Sequence, residues 1–331
     1  MRIIGTGIYA PGPALSHQDV MDKTGLSFDG NRISEKLGIN TRHIAHLSGL
    51  NETTADFAEK AARAALEDAG VNAEDIGLFI VATDTPEYIS PATSMLVQGR
   101  LQKGQMFSGC YDLGASCSSF VSALQSGSNA LLADPSIKYA MVIGVYNMPA
   151  YFRPDDVFGY SIFADGAGAW LLGPDSKGSR LDAAQMLSDG TQWNYIGIYS
   201  GGTRQPVTAK RLEDGEYGLQ LLKQLPGDRN INLWPHVLKN LMAKAGKRTD
   251  QADHYIFTQI NRSVIEEVMQ IVGRSMDNTT CIMDRFGYTG SACIPMAFDH
   301  AVKNGHVKRG DQVAVIASGS GLAVSSALFT Y

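Results

Sequence analysis

The segment from Thr53 to Gly70 constrains the fold more than any other stretch, because it reads as one helix whose buried stripe is almost entirely alanine. It opens with the capping-box pattern Thr53-x-x-Asp56, sets Phe57, Ala58, Ala61, Ala62, Ala65 and Ala69 along one face, and stops at Gly70. Side chains this small let a helix approach its neighbour closely, so the stripe is expected to lie against a sheet. Around it, short β-rich runs alternate with helical patterns. Ile76 to Thr83, Phe107 to Leu113, Tyr139 to Val145 and Gly168 to Leu172 read as strands, as does the start Arg2-Ile3-Ile4-Gly5. The second half repeats the rhythm with a helix from about Trp234 to Ala245, a strand His254 to Gln259, helices Ser263 to Val272 and Ile294 to Asn304, and strands Val313 to Ser318 and Val324 to Thr330. This order predicts α/β layering in two related halves, residues 1–175 and 176–331, meeting at the turn-rich Gly173-Pro174-Asp175-Ser176-Lys177-Gly178. Met148 to Gly159 and Ser200 to Arg211 lack periodicity and read as loops of the kind that carry binding functions.

Composition excludes several functions. The 331 residues are 44% hydrophobic and 18% charged with a net charge of -5, which provides no basic patch for nucleic acid. No apolar run reaches about 18 residues and the N-terminus lacks a charged, then apolar, leader pattern, so no membrane partner is expected and a cytoplasmic location is. Cys110, Cys117, Cys281 and Cys293 show neither C-x-x-C spacing nor a nearby histidine cluster. They are expected to be reduced thiols, without a metal site.

The stretch Asp112-Leu113-Gly114-Ala115-Ser116-Cys117-Ser118-Ser119-Phe120 runs from a buried strand into an apolar helix. It is expected to put Cys117 on the first helical turn. Unpaired backbone N–H groups and the helix dipole there favour a thiolate, lower the thiol pKa and make a nucleophile. Free cysteine is also often just a small core residue, and the local sequence leaves both readings open.

Several motifs taken together resemble the β-ketoacyl-acyl-carrier-protein synthase III family of the thiolase-like superfamily over essentially the whole chain. They are Ile3-Ile4-Gly5-Thr6-Gly7-Ile8-Tyr9-Ala10-Pro11, Gly38-Ile39-Asn40-Thr41-Arg42-His43-Ile44, the Cys117 segment, Phe163-Ala164-Asp165-Gly166-Ala167-Gly168-Ala169, Gly201-Gly202-Thr203-Arg204-Gln205-Pro206 and Gly319-Ser320-Gly321-Leu322. The resemblance implies a five-layered α-β-α-β-α thiolase-like fold, a homodimer built through the first half, and acyl transfer from a thioester onto Cys117. It also implies an oxyanion hole from the N–H groups of Cys117 and Ser320. The thioester of coenzyme A or of a carrier protein's phosphopantetheine would be a substrate, with no tightly bound cofactor.

The chain departs from the family pattern at both enolate-stabilising positions. The family's Pro-His-Gln-Ala-Asn reads Phe257-Thr258-Gln259-Ile260-Asn261, and its Gly-Asn-Thr-Ser reads Gly287-Tyr288-Thr289-Gly290. Thr258 and Tyr288 therefore stand in the catalytic positions usually held by histidine and asparagine. Decarboxylation of a malonyl thioester develops charge that two nitrogen donors normally hold, and a threonine hydroxyl is no general base near neutral pH. His254 is about 13 Å along its strand from Thr258, at roughly 3.3 Å per residue, and cannot substitute. His43 is expected near the surface and His300 in solvent. Arg32 stands where a tryptophan usually stacks on adenine. Arg32, Lys36 and Arg153, with Asn261, are the candidate substrate-binding residues. Glu266 and Glu267 face any acidic carrier protein with like charge.

The leading expectation is an acyltransferase that passes an acyl group from Cys117 to an acceptor other than a malonyl enolate, in fatty-acid-like or specialised-metabolite biosynthesis. Decarboxylative condensation, and a non-condensing subunit paired with a complete synthase, remain the alternatives. Phe158, Met148 and Trp234 are open to either chain-length selection or core packing.

Overall fold

In the computed structural model, which describes residues 1–104, 106–174 and 181–331, two sheets organise the chain. The first contains β1 (Arg2–Tyr9), β2 (Ile76–Ala82), β3 (Gly109–Leu113), β4 (Tyr139–Tyr146) and β5 (Gly166–Gly173), in the order β1-β5-β4-β2-β3. The second contains β6 (Ala183–Gln192), β7 (His254–Phe257), β8 (Gln312–Gly319) and β9 (Gly321–Thr330), in the order β7-β8-β9-β6. Their pairing senses correspond. In the first sheet β1–β5 and β5–β4 are antiparallel and β4–β2 is parallel; in the second β6–β9 and β9–β8 are antiparallel and β8–β7 is parallel. Where β3 extends the first sheet beside β2, the second has an isolated parallel bridge from Tyr255 to Thr279. The expected junction at Asp175 to Gly178 lies outside the described residues.

The helices that matter for the site are α1 (Gly30–Leu37), α2 (Thr54–Ala69), α3 (Thr93–Gln102), α4 (Ser119–Ala133), α5 (Arg229–Lys244), α6 (Arg262–Val272) and α7 (Cys293–Lys303). Helices α2 and α3 cover the outer face of the first sheet, α4 and α7 lie between the sheets and touch both, and α5 covers the outer face of the second with α6 beside it. Five layers, α-β-α-β-α, result. The central strands are buried on both faces, which is why β4 and β5 read as near-continuous apolar runs.

The alanine stripe of α2 does what its side-chain size implies. Ala58, Ala61, Ala62 and Ala65 are fully buried, and the helix backbone sits directly on β1. A Cβ at Gly7 would collide with the Ala65 nitrogen and come within 2.5 Å of the Ala61 oxygen, so strand and helix both use minimal side chains at the crossing. The cap is as read: Thr53 N–H donates to the Asp56 carboxylate at 2.8 Å, and Gly70 ends the helix with φ 63°.

Two elements differ from the sequence reading. Helix α5 starts at Arg229 rather than Trp234 and carries Pro235 inside it, a residue that normally marks a boundary. Strand β6 has a polar second half at Ser188, Asp189 and Gly190 because it is the sheet's edge. The segment Met148 to Gly159 is also not wholly loop, since a helix spans Val157–Ile162.

Replacing Gly7 by alanine is expected to cost about 1–3 kcal/mol by overpacking against the α2 backbone. A lower urea midpoint at unchanged slope would register it.

Candidate active site

Strand β3 ends at Leu113 and α4 begins at Ser119; the connecting turn holds Cys117. Ser116 adopts φ 53°, in the left-handed region, and this reversal sends Cys117 inward. Neighbouring serines close the turn, Ala115 N–H donating to Ser119 Oγ at 2.7 Å and Ser118 Oγ donating to Ala115 O at 2.6 Å. Cys117 thus precedes the helix instead of riding on its first turn, and the expected lowering of its pKa is corrected. Burial pushes the thiol well above its ordinary range, and the charge of Asp84 pushes it further. The Tyr288 hydroxyl and the cysteine's own backbone N–H pull the other way and lose.

Cys117 faces a cavity of about 460 Å³ formed where the start of α4, the segment before α7 and the β8–β9 turn converge. Asp84, Tyr288, Ser320, Arg229 and Asn261 line it with Cys117. The β8–β9 turn meets the cysteine backbone to backbone: a Cβ at Gly319 would stand 2.6 Å from the Cys117 nitrogen. Ser320 spends its hydroxyl on the Ile196 carbonyl, which leaves its main chain to face the cavity. Tyr288 is 2% exposed, and its ring packs among Phe163 and Tyr146 with centroids 5.4 and 6.4 Å away. Asn261 caps α6 through Oδ1, which accepts from Val264 N–H at 3.3 Å and Ser263 Oγ at 2.8 Å.

The structure does not bring the other expected residues into this group. Thr258 does not line the cavity; its Oγ1 accepts from Ser318 N–H at 2.9 Å and pins the end of β7 to β8. Arg153 does not line the cavity; it donates to the Tyr217 and Leu219 carbonyls at 2.9 and 2.7 Å, with Asp155 beside it at 3.5 Å. Arg32 and Lys36 are exposed on α1, whose last residue, Leu37, lines the cavity. Met148 and Phe158 line the cavity too, whereas Trp234 is core, stacked on Phe257 and bonded to Ser318 Oγ at 3.0 Å.

Among the described residues no histidine lines the cavity. His254 is bonded to Thr280 Oγ1 at 2.8 Å, and burial lowers its pKa to about 4. His43 is half-buried near the surface, with Nδ1 3.0 Å from the Gly12 carbonyl. No group of His, Cys, Asp or Glu able to hold a metal ion occurs among the described residues.

Two cavity residues were missed from sequence. Asp84 follows β2, and the parallel register that pairs Ala82 with Leu113 brings it beside the cysteine turn. Its Oδ2 accepts from Ser116 Oγ at 3.3 Å, while Oδ1 is shut off from solvent without a donor. Burial raises its pKa to about 6. An acid closing the apolar run Phe79-Ile80-Val81-Ala82 was the available signal. Arg229 is partly buried at the start of α5, and its guanidinium, which meets no carboxylate among the described residues, interacts electrostatically with Tyr288 and Cys117.

These electrostatics set the thiol's reactivity. Alkylation of Cys117 by iodoacetamide, followed by peptide mapping, is expected to rise about tenfold per pH unit between pH 6 and 9 without a plateau. Asp84→Asn removes a like charge and should speed it; Tyr288→Phe removes a donor to the thiolate and should slow it.

The sequence matches the family described as 3-oxoacyl-[acyl-carrier-protein (ACP)] synthase III over residues 111–190, and the C-terminal region of the same synthase over residues 242–331. The β-ketoacyl-[acyl-carrier-protein] synthase III of Thiobacillus denitrificans is 32% identical across 100% of this chain and 99% of its own. An acetoacetyl CoA synthase of Streptomyces sp. (strain CL190) is 32% identical across 100% and 98%. Among solved structures, 3-oxoacyl-[acyl-carrier-protein] synthase III from Aquifex aeolicus VF5 superposes with a TM-score of 0.85 at 27% identity, covering 100% of this chain and 99% of that one. With its two matching sheets, its five layers and its cysteine at the start of the central helix, the chain belongs to the 3-oxoacyl-[acyl-carrier-protein] synthase III family of acyltransferases and has that family's thiolase-like fold.

Proposed function

We propose that Cys117 takes an acyl group from a coenzyme A or carrier-protein thioester and passes it to an acceptor other than a malonyl enolate. The observation that carries this reading is the cavity around Cys117, which among the described residues is lined by Asp84, Arg229, Asn230, Asn261 and the buried Tyr288 but by no histidine. In the first step the Cys117 sulfur bonds to the thioester carbonyl carbon and the donor thiol leaves. Charge developing on the carbonyl oxygen would be met by the Cys117 and Ser320 N–H groups, held together by the close contact at Gly319. Tyr288 lends its hydroxyl to the sulfur and its ring narrows the space for a second thioester. Thr258 acts only by positioning β8, since its hydroxyl is committed to Ser318. On this reading Thr258 and Tyr288 do not act as a pair of enolate donors, and decarboxylative condensation is the alternative.

Arg229, with Asn261, is assigned to the anionic part of a substrate, and Arg32 and Lys36, exposed on the helix whose Leu37 lines the cavity, are the further candidates. The chain divides into halves 1–175 and 176–331, a reading supported by the matching sheet topologies. A homodimer is proposed through the free edge of β3, where Phe107 is 103% and Ile89 86% exposed and Tyr88, Met95 and Tyr111 add apolar surface. An apolar sheet edge of this kind needs a cover, and a second copy pairing along β3 supplies it. No helix among the described residues is long and apolar enough to cross a membrane. The four free thiols favour a reducing, cytoplasmic setting.

Incubation with acyl-CoA thioesters of two to ten carbons should leave an acyl adduct on Cys117 by intact-mass and peptide analysis, absent in Cys117→Ala. No adduct across the panel would reject the proposal. In size-exclusion chromatography with light scattering, the chain should run at twice its mass and Phe107→Asp should shift it toward the monomer.

A further inference from the structure

We propose that Asp84 takes the proton from the acceptor as it attacks acyl-Cys117, which makes the acceptor an O–H or N–H nucleophile. The inference rests on the reading of Cys117 as the acyl-bearing residue and adds the chemical class of the group that attacks it. Asp84 and Cys117 line one cavity, brought together by the parallel register of β2 and β3. Ser116 Oγ holds one carboxylate oxygen at 3.3 Å and thereby orients the other. That other oxygen, Oδ1, is closed to solvent, so the carboxylate meets the cavity through Ser116, which lines it and whose Oγ donates to Asp84 Oδ2. A substrate O–H or N–H that donates to Ser116 Oγ is thereby linked to the carboxylate by one hydrogen bond.

Asp84 bonds the Ser116 hydroxyl, and its charge acts on the Cys117 thiol and on the Tyr146 and Tyr151 hydroxyls, the last of which also feels Glu87. Among the described residues no salt bridge holds the Asp84 carboxylate; Arg229 interacts electrostatically with Tyr288 and Cys117. Burial brings the carboxylate's pKa to about 6, so at neutral pH it is ionised yet basic enough to accept a proton. Among the described residues no histidine lines the cavity to compete for the task. A malonyl acceptor would leave this base idle, because departing carbon dioxide supplies the electron pair for the new bond. A protonated nucleophile requires it.

The step balances without a further reactant. The acceptor's lone pair bonds to the acyl carbonyl carbon, its proton passes to Ser116 Oγ as the Ser116 proton passes to Asp84 Oδ2, and the carbonyl electrons move onto oxygen. As the carbonyl re-forms, the carbon–sulfur bond breaks and its electrons stay on Cys117. The thiolate then recovers the proton from Asp84, and both groups are restored.

Burst kinetics with p-nitrophenyl acetate test this with water as the simplest O–H acceptor. The burst reports acetylation of Cys117, and the steady state reports attack on the acetyl-enzyme. Wild-type steady-state turnover should climb as pH rises through about 6, where Asp84 ionises, and then level. Asp84→Asn should keep the burst amplitude, turn over about 100-fold more slowly and lose the limb near pH 6. Asp84→Glu should restore a limb with a displaced midpoint. Asparagine still accepts from Ser116 Oγ, so a merely structural Asp84 predicts unchanged turnover and an unchanged limb in Asp84→Asn. That result overturns the proposal. The failure of the underlying reading looks different: the burst would persist in Cys117→Ala.

Discussion

Everything about the site depends on one approach of backbone to backbone across the two sheets. Gly319 ends β8 so close to Cys117 that a Cβ there would lie 2.6 Å from the cysteine nitrogen and 2.8 Å from the Ser116 side chain. Only a glycine permits that distance, and the distance locates the nucleophile and the β8–β9 turn relative to each other. The strands that deliver them come from different halves, β3 from the first sheet and β8 from the second, with α4 and α7 packed between. The repeated topology places the starts of both central helices beside one cavity, Cys117 ahead of α4 and Tyr288 ahead of α7.

Enclosure then sets the chemistry. Cys117, Asp84 and Tyr288 each have their pKa raised by burial, and Cys117 and Asp84 oppose each other's charge besides. The low-dielectric pocket resists two anions at once, so sulfur and carboxylate share a single negative charge in the resting protein. Asp84, with the lower pKa, carries it. A resting thiol, rather than a standing thiolate, is the consequence of placing the cysteine before the helix in a closed cavity instead of at an open helix terminus.

Much of the architecture was legible in the sequence because it derives from local patterns. The alanine stripe and capping box of α2, the apolar runs of β2, β4 and β5 and the cysteine between strand and helix all depend on residues near one another in the chain. The site's remaining members depend on register and long-range partners. Asp84 matters because β2 pairs in parallel with β3 and Ser116 reaches it. Thr258 is turned away because Ser318, on another strand, presents an N–H at hydrogen-bond distance. Arg153 is occupied by carbonyls of Tyr217 and Leu219, which no local pattern announces. Arg229 was hidden because the sequence reading began this helix at about Trp234, past it.

The two substitutions at family positions are not equivalent, and the structure separates them. Thr258 does not line the cavity, and its hydroxyl clamps the end of β7 to β8 just before the β8–β9 turn. Tyr288 stays at the cavity wall, where its ring takes up volume and its hydroxyl favours the thiolate over the thiol. On the reading proposed above, Cys117 and the close-packed β8–β9 turn supply what acyl loading requires, while the groups that would assist the second step are a carboxylate and a tyrosine hydroxyl. The balance of donors in the cavity, rather than the fold shared with the family, is then what selects the acceptor.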